Sequence, residues 1–140
     1  MNFLLDTNVV SEGVKPRPNP GVMEWLATAD EDRLFLSVVT LAELRYGVER
    51  LPVGRKSAQL QEWLETELAV RFEGRVVVVD EAVAATWGKL LAKADAAGRP
   101  LGAMDGFLAA TATVHQMTLV TRNEMDFAAA AIKTFNPWEI

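Results

Sequence analysis

The sequence predicts an α/β sandwich, a mostly parallel sheet with helices packed on both faces. Two observations carry that expectation. Short apolar runs of strand length alternate with longer stretches whose apolar residues recur every three or four positions. One run, Val76-Val77-Val78-Val79, is apolar at every position, as a central parallel strand covered on both faces would be. No internal repeat, low-complexity tract or long interior linker divides the chain, so residues 1–140 read as a single domain.

Each element has its own signals. Phe3–Asp6 reads as the first strand, and Asn19–Ala29 as a helix entered through Asn-Pro-Gly. Leu34–Ser37 is a second strand. Leu41, Leu44, Val48 and Leu51 then mark an amphipathic helix that Pro52 and Gly54 end. Leu60, Leu64, Leu68 and Phe72 continue a helical stripe up to Gly74. After the valine run, Asp80 caps a helix carrying Val83, Trp87, Leu90, Leu91 and Ala94. Gly98, Pro100 and Gly102 form a loop, and Asp105 opens an alanine-rich helix that runs through His115. Thr118–Thr121 and Ile132–Phe135 supply the last two strands.

Composition removes several classes of function. There is no cysteine, which excludes disulfides and thiolate metal sites, and a single histidine, His115, leaves no acid–base histidine pair. No apolar run approaches the ~20 residues of a membrane span, and no signal-like core follows the N-terminus, so a cytoplasmic protein is expected. The net charge of −5 does not announce nucleic acid. An acidic enzyme acting on nucleic acid needs metal ions or local arginines to offset its carboxylates.

In a parallel sheet, ligands gather at the carboxyl ends of the strands. Asp6 lies at the end of the first strand and Glu43 in the first turn of the helix after the second. Asp105 opens the helix before the fourth strand, and Asn123 and Asp126 follow that strand. Each has a plain alternative as a cap: Asp6 or Asn8 at a helix start, Thr40-x-x-Glu43 as a capping box, Asp105 as an N-cap, Asp126 before a short turn. Asp30, Glu31, Asp32, Asp80 and Glu81 read as solvated turns and caps. Converging carboxylates repel one another unless a cation compensates them. Oxygen donors without cysteine favour Mg²⁺, with Mn²⁺ as a substitute, and the chemistry best served is hydrolysis of a phosphodiester. Arg122, beside the proposed site, is placed to meet a phosphate.

These stretches also resemble a known family. LLDTN, SVVTLAELRYGVERLP, DGFLAATA, TLVTRNEMDF and the closing FNPWE, in that order, are similar to the PIN-domain ribonucleases, and most of all to the VapC/FitB-type toxins of toxin–antitoxin pairs. The resemblance implies a PIN-like three-layer sandwich in which Asp6, Glu43 and Asp105 bind the metal. It puts the fourth site, often a carboxylate, on Asn123 in Thr121-Arg122-Asn123; Asp126 would then supply the missing charge through water. Asn8 and Thr121 are implied as hydrogen-bonding support. It further implies an RNA substrate, a homodimer, and a VapB/FitA-like antitoxin whose tail lies along the helices between Leu41 and Phe72. Two other readings stay open. One is a non-catalytic PIN-like binding module whose acids are only caps. The other is a phosphohydrolase using Asp6 as nucleophile, which would want an aspartate where this chain has Asn8.

Overall fold

The structure, a computed structural model, describes residues 1–140. Five strands form one sheet: β1 (Phe3–Leu5), β2 (Leu34–Ser37), β3 (Val76–Val77), β4 (Thr118–Val120) and β5 (Thr134–Phe135). Their order is β3-β2-β1-β4-β5, and all four pairings are parallel. The chain leaves β1 toward β2 on one side and comes back to pair β4 on the other. The boundary between β1 and β4 is therefore where the winding reverses, and such a boundary opens a crevice at the carboxyl edge of the sheet.

Alternation along the strands sends side chains into two cores. Leu5, Leu34, Leu36 and Val120 enter one cluster with Val9, Val22, Leu44, Leu64, Leu68 and Phe72. Leu4 and Leu119 enter the other with Leu108, Ala109, Ala112 and Phe127. The first cluster is covered by α1 (Thr7–Glu12), α2 (Pro20–Thr28), α3 (Val38–Glu49) and a long segment built from α4 (Arg55–Glu62), a π-helical turn (Trp63–Leu68) and α5 (Ala69–Arg71). The second lies under α6 (Glu81–Ala96), α7 (Ala103–His115) and a 3₁₀ stretch (Glu124–Ala130). This is the three-layer arrangement expected. None of the helices is long and apolar enough to cross a membrane.

Several elements differ from the sequence reading. The valine run is an edge strand of only two residues, not a central one. β3 pairs with β2 alone, and Val78 is exposed. Its apolar residues serve the helical layer instead, where Val77 and Val79 pack on the second core. Helix α1 directly follows Asp6, in a stretch too short to show a period. The Leu60-to-Phe72 stripe is real, but its helix is widened in the middle into the π turn. Glu31 is not a solvated turn residue. Arg71 Nε stands 2.9 Å and Arg75 Nη2 3.0 Å from its Oε2, and the Arg71 contact holds its carboxyl below the usual range. His115 lies exposed in the last turn of α7.

Glycine matters most where α6 and α7 cross. A methyl group on Gly106 would run into the Leu91 side chain and stand 3.0 Å from Trp87 Nε1. This close approach lets Trp87 stack on Phe107 at 4.9 Å and donate to the Ala103 carbonyl at 3.0 Å. The first turn of α7, which carries Asp105, is fixed by that contact.

Candidate active site

Strand β1 surfaces at Asp6, which stays 93% out of solvent by residue area, being only 7% exposed. Its backbone N–H still donates to the Val120 carbonyl at 2.9 Å, so the residue is locked to β4. Asp6 Oδ1 accepts from the Thr7 N–H at 2.7 Å, opening α1. Oδ2 accepts from Thr121 Oγ1 at 2.7 Å and, more weakly, from Asn8 Nδ2 at 3.4 Å. Burial pushes the Asp6 carboxyl above its usual range, against the two short hydrogen bonds, with the charges of Glu43 and Asp126 adding to the push.

The other acids come from three separate elements. Glu43 is the sixth residue of α3, and its Oε1 accepts from Thr7 Oγ1 at 2.7 Å. Asp105 is the third residue of α7, and Asp126 lies in the 3₁₀ stretch after β4. The Asp105 carboxyl is pushed up to about 6, first by burial and then by the charges of Asp6, Asp126 and Glu43. Four carboxylates therefore share one field. None takes part in any of the six ion pairs of the molecule. No three of them stand in a ready coordination geometry.

The cap readings divide. Asp6 does cap α1. The Thr40–Glu43 capping box is absent: α3 starts earlier, at Val38, with Ser37 Oγ accepting from the Val39 N–H at 3.0 Å. Asp105 is no cap either, since Gly102 holds that position. Asp126 sits inside its 3₁₀ stretch, where Asn123 occupies the cap position without a side-chain cap bond. Capping thus explains one acid of four.

Supporting groups link β1 to the end of β4. Thr121, fully buried, donates to Asp6 and accepts from the Asn123 N–H at 3.0 Å. Asn8 Oδ1 accepts from the Arg122 N–H at 3.3 Å. Asn123 itself is exposed, and it is Asp126 whose charge reaches Asp6 and Asp105. Thr7 is the residue that reading the sequence missed. Its only signal was its place between Asp6 and Asn8, and nothing local points across to Glu43.

A carboxylate cluster at the winding reversal of a small parallel α/β sandwich defines a PIN domain, and the chain belongs to that family, whose model matches residues 3–133. Among curated proteins it is 43% identical to Toxin FitB of Neisseria gonorrhoeae, over 97% of this chain and 98% of that one. It is 38% identical to VapC ribonuclease Y4jK of Sinorhizobium fredii, over 98% of each chain. Among solved structures it is similar to the crystal structure of FitAcB from Neisseria gonorrhoeae, with a TM-score of 0.94 and 42% identity, covering 99% of both chains.

Proposed function

We propose that this chain is a metal-dependent endoribonuclease toxin that hydrolyses RNA phosphodiester bonds and is neutralised by a cognate antitoxin of the VapB/FitA kind. The observation that carries the catalytic part is the acidic cluster at the sheet edge, where burial and then three neighbouring carboxylates push Asp105 up to about 6. Burial and the neighbouring carboxylates make Asp6 and Asp105 costly to keep ionised. Hard oxygen donors with that surplus charge fit a divalent cation of the Mg²⁺ or Mn²⁺ kind. Asp6, Glu43 and Asp105 would hold it, with Asp126 acting through water in place of the amide at Asn123. When bound, such an ion lowers the pKa of a water and offsets charge on the phosphate.

The protein residues divide the remaining work. Thr121 and the Thr7 N–H fix the two oxygens of Asp6, and the Thr7 hydroxyl fixes Glu43. Orienting ligands in this way is what second partners do at metal centres. Arg122, exposed beside the cluster, meets a phosphate of the RNA. An RNA substrate fits a cytoplasmic setting, and no helix is long and apolar enough to cross a membrane.

Likeness to FitAcB and to the FitB toxin supports the antitoxin. A cavity of about 400 Å³ between α1, α2 and the π turn, lined by Met23, Leu26, Trp63 and Phe72, suits an apolar side chain of its tail. It adjoins a groove carrying Lys15, Arg55 and Lys56. The cavity uses α1 and α2 as well as the helices before Phe72, whereas the groove runs from α1 to α4 and the π turn. Exposed Tyr46, Val53 and Val70 leave apolar surface for a second copy in a homodimer.

The test is cleavage of total cellular RNA with Mg²⁺ present or chelated, by wild type and by Asp6→Asn. Metal-dependent cleavage by wild type alone is expected, together with toxicity that Asp6→Asn abolishes. Asp32→Asn, in the exposed turn leading into β2 at the opposite edge of the sheet, should act as wild type. Undiminished cleavage by Asp6→Asn would remove the mechanism.

A further inference from the structure

Arg122 is an exposed residue held in an unusual way. Its N–H donates to Asn8 Oδ1 at 3.3 Å, and its carbonyl accepts from Asn136 Nδ2 at 3.2 Å. Its guanidinium carbon lies 5.4 Å from the centre of the Trp138 ring. It enters none of the ion pairs of the molecule. An exposed arginine on a strand-end loop ordinarily keeps several rotamers, and that freedom is lost on each binding event. Here both backbone ends and the head are restrained, and the charge, though felt at Glu12, is bound in no ion pair.

The restraint comes from the closing segment of the chain. Thr121 N–H donates to the Phe135 carbonyl at 2.9 Å, which brings residues 136–139 alongside the end of β4. Asn136 then uses its two side-chain ends for different tasks. Oδ1 accepts from the Trp138 N–H at 2.9 Å and caps the 3₁₀ turn Pro137–Glu139, while Nδ2 reaches Arg122. The cap aims the indole, and the indole carries the guanidinium. Trp138 also packs on the first core, so the platform is anchored in the body of the domain.

We propose that Asn136 and Trp138 are positioning residues that hold Arg122 ready for a substrate phosphate. The proposal rests on the ribonuclease reading and names which part of the chain organises that site's cation. Arg122 contacts the RNA backbone, and Trp138 acts only through Arg122. The closing turn is thereby part of the substrate-binding machinery, not merely an end of the fold.

Steady-state cleavage of a single-stranded ribo-oligonucleotide of mixed sequence tests this, with salt varied. Arg122→Ala should raise KM about tenfold with little change in kcat, and flatten the slope of log KM against log salt by about 0.7, one single-strand phosphate contact. Trp138→Leu should raise KM about threefold to fivefold and keep the wild-type slope, since the charge remains but its platform is gone. Trp138→Phe should recover most of that loss. Asn136→Ser keeps a capping oxygen but lacks the reach to Arg122, and should raise KM about twofold. The deciding measurement is the double variant. Arg122→Ala with Trp138→Leu should be no worse than Arg122→Ala alone, whereas two independent contributions would add.

Additive losses, or a Trp138→Leu enzyme with unchanged KM, overturn the positioning role. Should Trp138→Leu melt far below wild type, the Trp138→Phe and Asn136→Ser pair carries the same comparison. A separate readout needs no RNA: slowed rotation of the Arg122 guanidinium seen by nitrogen NMR in wild type and released in Trp138→Leu. Free rotation in wild type overturns the proposal. Slow rotation in a protein that neither binds nor cleaves RNA leaves the Trp138 restraint of Arg122 standing and overturns the ribonuclease reading, and with it the use of Arg122 for a phosphate.

Discussion

Replacing Asp105 by asparagine removes a charge and almost nothing else, which makes it the sharpest probe of the acidic cluster. In the metal-free protein the carboxyl is raised from its ordinary 3.8 to about 6 by burial and by Asp6, Asp126 and Glu43. At about 1.4 kcal/mol for each pH unit, that displacement sets a ceiling of about 3 kcal/mol. The group is only half-buried, and screening by water brings the expected effect to about 1–1.5 kcal/mol. The sign follows from proton linkage. A group whose pKa rises on folding binds its proton more tightly in the native state, so its stabilising contribution is complete below about pH 4 and is lost as pH climbs through about 6. Asparagine mimics the protonated acid at every pH. Wild type and Asp105→Asn, both with chelator, should therefore melt together near pH 4. By pH 7 to 8 the variant should melt about 3–6 °C higher. Adding Mg²⁺ at pH 8 should raise the wild-type melting temperature and close the gap, while the variant, a ligand short, responds less. Differential scanning fluorimetry across pH checks all of this. An equal gap at pH 4 and pH 8 would refute the reasoning, because shape and not charge would then be responsible. A variant less stable than wild type at pH 8 would refute it more directly.

Other perturbations test the parts around that cluster. Thr7→Val keeps the N–H on Asp6 but removes the hydroxyl on Glu43. It should weaken Mg²⁺ affinity by about tenfold in a calorimetric titration, with little change in chelated stability; unchanged affinity would release Thr7 from the site. Gly106→Ala should destabilise by about 1–3 kcal/mol in urea denaturation, because the new methyl group meets Leu91 and Trp87. An unaltered midpoint would mean that α6 and α7 separate freely at that crossing. Asn123→Asp should lower the melting temperature of the chelated protein and tighten Mg²⁺ binding, both through added negative charge near Asp6. If neither moves, Asn123 lies outside the reach of the cluster.

The fold was legible where periodicity is strong and long. The stripes on α6 and on the Leu60-to-Phe72 segment, and the short apolar strands β1, β2 and β4, stand in the structure at nearly the boundaries their patterns imply. The valine run misled because being apolar on both faces does not distinguish a central strand from an edge strand that lies beneath helices. The positions of Asp6, Glu43, Asp105 and Asp126 at strand and helix ends were visible, since the carboxyl edge of a parallel sheet is set by chain direction alone. Their finer setting was not. Whether Glu43 starts α3 or sits a turn and a half inside it depends on Ser37, a buried serine one position beyond the apolar core of β2. The Thr7–Glu43 and Asn136–Arg122 contacts join residues far apart in the chain, and no local pattern encodes such a pair.

The winding reversal between β1 and β4 has a consequence for how the protein is made. Asp6 is synthesised well before Val120 and Thr121, whose groups seat it. Synthesis proceeds at about 5–20 residues per second, so several seconds separate the first acid from the strand that completes its surroundings. Throughout that interval the nascent chain has β1 without its β4 neighbour, and the crevice between them does not exist. The acidic crevice therefore forms only after β4 and Thr121 have left the exit tunnel. By then the cavity beside Trp63 and Phe72, lined wholly by earlier residues, has already been outside for longer, so the antitoxin tail of the proposed function would meet its seat before the acidic crevice closes.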